Sequence, residues 1–164
     1  MSFSVKSTNA GTTGRRILAC LILLAMGFSC AQKPKTGEDP QVTTMGSVEV
    51  TAKLVEIKGE LPNIPLYDYA FVFKYQVLKT HRGKTDSETI YVGQYNPLKS
   101  RATVADARSG KIGGNLKKFR VGDTHRMALE VPIDDFFMGG IVNRYFDEKV
   151  SPIYWAVWTN EVAP

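Results

Sequence analysis

Between Ser47 and Lys58 the chain alternates apolar and polar residues and then slips by one position, and this constrains the fold more than anything else. Val48, Val50, Ala52 and Leu54 share one face, with Glu49, Thr51 and Lys53 on the other; beyond the slip, Val55 and Ile57 are apolar. A period of two demands a half-buried strand, and a one-residue slip within it is what a β-bulge produces. A second run follows at Ala70–Lys79, with Phe71, Phe73, Tyr75 and Val77 on one face. Glu88–Tyr95 reads as its hairpin partner across a loop containing Gly83 and Asp86. Arg126–Val131 and Ile153–Thr159 read as two more strands.

Five strands, the first bulged, with a hairpin next and a long crossing before the last two, predict a mostly β fold: a small five-stranded OB-like barrel with one or two short helices. The helices are expected near Thr103–Arg108 and over Pro132–Ile141, where Ile133, Phe136, Phe137 and Ile141 form a helical stripe. Ala52–Ile57, Phe73–Lys79 running to Gly83, and Phe119-Arg120-Val121-Gly122-Asp123 before a strand resemble the netrin-like, TIMP-like branch of OB barrels over residues 47–131. That family's inhibitory N-terminal Cys and its disulfides have no counterpart here, so protease inhibition does not transfer. Leu66-Tyr67-Asp68-Tyr69 through Tyr75, with Gln94–Leu98, is also similar to exported bacterial lipoproteins without an assigned activity.

The first 46 residues follow different rules. Lys6, Arg15 and Arg16 precede an unbroken apolar run, Ile17–Phe28, and small residues follow it. A basic flank, a short apolar segment and a small-residue exit describe an export signal. The run is shorter than the ~20 residues of a membrane span. Cys30, preceded by Ser29, resembles the lipidated Cys of bacterial lipoproteins, although Gly27 stands where that pattern has Leu. The alternative cut lies after Ala31 and would release a soluble secreted protein. The expected organisation is therefore a leader over 1–30, a flexible tether over 31–46 and one barrel domain over 47–164. The expected location is the cell envelope, facing the periplasm or the exterior, with the membrane reached through a lipid on Cys30.

Removing the leader removes three of 21 basic residues and none of 16 acids, so the charge falls from +5 to +2. A nucleic-acid partner is not indicated at that balance. The only two cysteines, Cys20 and Cys30, lie in the leader region, which excludes a disulfide framework or a Cys-based zinc site in the domain. No cofactor, metal site or catalytic residue is expected. A hydrolase or transferase would have to use His81 or His125, the only histidines. His81 lies in a basic loop and His125 opens a strand, where structural roles suffice. Asp134 and Asp135 are adjacent and diverge on a helix, so they read as helix N-terminal charge.

Two features point toward binding instead. Residues 99–126 hold eight cations against Asp106 and Asp123, whereas residues 127–164 are net acidic. Aromatic residues are dense on the second, third and fifth strands, on both faces. The expected function is that of a non-enzymatic, envelope-anchored binding or accessory module. Its site would be a basic loop and aromatic face formed by Tyr95, Asn96, Lys99, Arg101, Lys117, Lys118 and Arg120, engaging an anionic ligand, an envelope protein or an acidic glycan. The alternative is a secreted oligosaccharide- or peptide-binding domain.

Overall fold

The computed structural model describes residues 39–162. The leader, the first part of the tether and Cys30 lie outside the described residues. The barrel is built from β1 (Val48–Glu56), β2 (Tyr69–Arg82), β3 (Thr89–Tyr95), β4 (Thr124–Glu130) and β6 (Ile153–Glu161). It closes in the order β1-β2-β3-β6-β4-β1, every pairing antiparallel except β3 with β6. A short β5 (Gly140–Val142) adds in parallel to the start of β2.

The phase slip in the sequence is a real bulge. Leu54 faces Tyr75 and Glu56 faces Lys74, leaving Val55 as the extra residue. β2 carries two further extra residues, Leu78 and His81, against β1. Each bulge adds local twist and bend, which lets these two long strands wrap a small barrel.

The alternating residues form the inner core. Val50, Ala52, Leu54, Phe71, Phe73 and Tyr75 are fully buried there with Val92, Met127 and Leu129. Burying each large apolar side chain contributes about 1.5–3 kcal/mol, which makes this layer the main source of stability. A second layer covers the outer face of β2, β3 and β6. Phe137 stacks on Trp155 at 4.6 Å and meets Tyr95 at 5.5 Å, while Ile133, Val104 and Ile112 fill in around them. Gly93 allows this layer to seat, because a Cβ there would lie 2.4 Å from Ile133 Cδ1.

Three expectations need correction. The segment over 132–141 makes only a 3-10 turn at Ile133–Asp135; Gly139-Gly140 then frees the chain to pair with β2 as β5. The helix expected at Thr103–Arg108 is a 3-10 turn at Arg101–Thr103, begun where Ser100 Oγ accepts from Ala102 N at 3.3 Å. The described part of the tether belongs to the domain. Pro40–Thr44 is a helix, α1, with Val42 fully buried. Asp39 caps it and also accepts from Trp158 Nε1 at 2.7 Å and Asn160 Nδ2 at 3.1 Å. Burial opposes the Asp39 charge, but these donors and Gln41 N hold its carboxyl below the usual range.

Candidate functional site

The connections after β1 (57–68), after β3 (96–123) and after β4 (131–152) converge at one side of the barrel and enclose a groove. Its central cavity, about 380 Å³, is lined by Asp68, Tyr95, Arg108 and Phe136–Gly139. A smaller cavity of about 140 Å³ shares Asp68 and adds Ile64, Tyr67, Asn96, Leu98 and Lys99. A third, about 450 Å³, shares Arg108 and Phe136 and continues over Lys111, Ile112, Trp155 and Val157 toward Glu130. Connections line most of the groove, the part of a fold where chains are free to vary.

The floor is rigid. Tyr95 ends β3, and its hydroxyl donates to Asp106 Oδ2 at 2.7 Å. Asp106 Oδ1 accepts from the backbone N–H of Arg108 and Ser109 at 2.9 and 3.0 Å, an Asx-type turn that fixes where Arg108 leaves the backbone. Burial works against the Asp106 charge, but the Tyr95 hydroxyl and the two N–H groups hold its carboxyl below the usual range. Asn96 adopts a positive φ of 39°, a conformation Asn tolerates better than most residues. Its side chain accepts from Tyr69 N at 3.2 Å and donates to Asp68 Oδ1 at 2.7 Å. Lys99 Nζ lies 3.6 Å from the same Asp68 oxygen.

The rim is unusual. Leu66 is 98% exposed and Met138 96%, and Ile64, Tyr67, Leu98 and Phe136 are each about half exposed or more. These six account for most of the large apolar side chains that the described residues leave in water. Tyr67 packs close to Gly140, which joins the Leu66 side of the rim to the Met138 side. Apolar exposure concentrated around a concavity marks an interaction surface, whereas isolated exposed residues carry no such meaning.

The expected site residues separate into three groups. Tyr95, Asn96 and Lys99 build the groove, although Tyr95 and Asn96 are buried and act from beneath it. Lys117, Lys118 and Arg120 are exposed but line none of its three cavities. Arg101 is not a surface cation at all. It is 1% exposed, and its Nη2 donates to the carbonyls of Asn96 and Lys99 at 2.8 and 3.0 Å. The expected aromatic face is not exposed at Tyr91, Tyr95 and Trp155, which are covered by the 131–152 connection. What sequence reasoning missed was Asp68, Arg108, Leu66, Tyr67 and Phe136–Met138. The available signal was apolar residues beside turn formers, Leu66 and Tyr67 after Pro65 and Met138 before Gly139-Gly140.

The histidines stand apart from the groove. His81 Nε2 lies 2.8 Å from Thr51 Oγ1 on the exposed side of the β1–β2 ladder. His125 is fully buried, its Nδ1 3.1 Å from the Tyr75 hydroxyl and its ring against Phe119. A side chain enclosed in this way cannot touch a substrate outside the barrel. Among the described residues no cluster of three or more His, Cys, Asp or Glu is placed to hold a metal ion, and no helix is long and apolar enough to cross a membrane. Comparison with protein-family models, curated proteins and solved structures finds no match to this chain.

Proposed function

We propose that this chain is a non-enzymatic accessory module of the cell envelope, exported by its leader and held by a lipid on Cys30, that docks a protein partner in the groove. The supporting observation is the rim: six exposed apolar side chains, all but Leu66 lining three cavities that share Asp68, Arg108 and Phe136. The occupant is an extended segment that presents a large apolar side chain beside an acidic one. The apolar group is suited to the cavity among Phe136, Phe137 and Met138. The acid is suited to Arg108 and Lys111, which form no ion pair among the described residues, whereas Lys99 is engaged by Asp68. An acidic glycan fits less well, because four of the six rim side chains, Ile64, Leu66, Leu98 and Met138, carry no ring on which a sugar stacks, leaving only Tyr67 and Phe136.

The test is a panel of immobilised peptides pairing Phe, Leu or Trp with Asp or Glu, probed with the purified chain. Binding should weaken with salt, and both Met138→Glu and Arg108→Glu should abolish it. Binding to acidic oligosaccharides that survives Met138→Glu would overturn the protein-partner reading. Anchoring has its own test. Intact mass should give a mature chain beginning at an acylated Cys30, and Cys30→Ser should move the protein to the soluble fraction. An unmodified N-terminus at Gln32 would contradict it.

A further inference from the structure

The guanidinium of Arg101 lies inside the fold with most of its donors unused. Two bonds from Nη2 go to backbone carbonyls, but Nε and Nη1, which carry three N–H groups between them, are buried without an acceptor. No carboxylate among the described residues forms an ion pair with Arg101. Its Cζ stands 5.2 Å from the centroid of the Phe119 ring, which contributes a weak π contact and no full charge. Burial lowers its pKa only to about 10, so the group stays cationic at neutral pH. A buried ion without a counter-charge is among the most destabilising arrangements a fold can hold, and two carbonyl dipoles offset only part of it.

The same Phe119 ring packs 5.6 Å from His125, whose Nε2 is also buried without a partner. Its Nδ1 shares a hydrogen bond with the Tyr75 hydroxyl, whose direction follows the ring tautomer. Against these donors stands one unused buried acceptor, Asp123 Oδ2. The Asp123 charge acts on His125 and Tyr75 and forms no ion pair with Arg101, which keeps three unused donors and an unpaired charge. A water would bring two hydrogens of its own and no charge. A species that only accepts answers both deficits.

We propose that the interior of the barrel beside Phe119 holds a small inorganic anion of chloride size, bound by the free N–H groups of Arg101. It is separate from the groove, and it completes the charge of the core instead of recruiting a partner.

The experiment compares the purified full chain in sodium chloride and in sodium gluconate at equal ionic strength. The melting temperature should be higher in chloride and rise with the logarithm of its concentration above Kd, by about 5 °C at ten times Kd. Arg101→Met replaces the cation with an apolar chain of similar reach and should melt identically in both salts. Crystals grown in sodium bromide should show an anomalous peak within hydrogen-bonding distance of Arg101 Nε or Nη1. That second measurement decides the matter if the variant fails to fold. Equal melting of the native chain in the two salts would overturn the proposal. So would a crystal with ordered water at Arg101 and bromide only elsewhere, an adventitious ion only.

Discussion

Arg126 reaches across the β1–β4 ladder and closes on Glu49, its Nη2 2.6 Å and its Nε 2.9 Å from the same carboxylate oxygen. Glu49 is only 4% exposed, and Arg82 approaches its other oxygen at 3.4 Å. Arg82 in turn donates to the carbonyls of Thr43, Met45 and Gly46, so one carboxylate ties β1, β2, β4 and the end of α1 together.

Glu49→Lys should therefore be strongly destabilising, although strand alternation alone assigns this residue to the polar, outward face. Removing one member of a buried pair leaves uncompensated charge and costs about 3–5 kcal/mol. Urea unfolding of Glu49→Lys and Lys53→Glu makes the comparison, since Lys53 is an exposed neighbour on the same face. Equal midpoints for the two would remove the cluster from the account.

The pH dependence of stability should carry the mark of His125. Burial pushes its pKa down to about 4, while the nearby Asp123 charge acts in the opposite sense. In the unfolded chain the group titrates near 6.5. Between these values the unfolded state binds more protons, so stability falls as pH drops from about 6.5 to 4 and is fully present above that window. The loss attributable to this residue is about 3 kcal/mol, since each tenfold change in proton affinity between the two states corresponds to ~1.4 kcal/mol. Unfolding free energies at pH 7 and pH 4.5 should differ more for the native chain than for His125→Gln. The same difference in both would place the acid sensitivity elsewhere.

Much of this architecture is written in β1 and β2. Val48, Val50, Ala52 and Leu54, and then Phe71, Phe73 and Tyr75, point inward as their period requires, and the bulge falls at the phase slip. Alternation reports only which face a residue occupies, not what covers that face. Glu49 is polar and outward, yet it is buried under two arginines, one of them also bonded to the Thr43 carbonyl of α1. Arg101 belongs by composition to a basic loop, but its backbone N–H bonds to the Leu116 carbonyl at 2.9 Å and its side chain turns under the Asn96–Lys99 turn. The groove was the least legible part. It arises where three connections distant in sequence meet, and Leu66, Arg108 and Met138 share no local pattern that would connect them.

Gly93 couples the barrel to the groove wall. Gly93→Val would push a side chain into Ile133, whose Cδ1 lies 2.4 Å from the ideal Cβ position, and lift the Ile133–Phe137 layer from β3. Overpacking of this kind costs about 1–3 kcal/mol. The expected result is a red shift of tryptophan emission, as Trp155 loses Phe137, with the far-UV spectrum of the barrel retained. Unchanged emission would mean that the layer is not seated on this glycine.

The proposed function places the partner in the groove and not on the basic segment at Lys117, Lys118 and Arg120. Photocrosslinking in intact cells, with the reactive side chain at position 138 or at position 118, separates the two surfaces. A groove partner should give a discrete protein adduct from position 138 that disappears with Arg108→Glu and persists when Lys117, Lys118 and Arg120 are all changed to Glu. An adduct from position 118 that the triple reversal abolishes, with none from position 138, would contradict it.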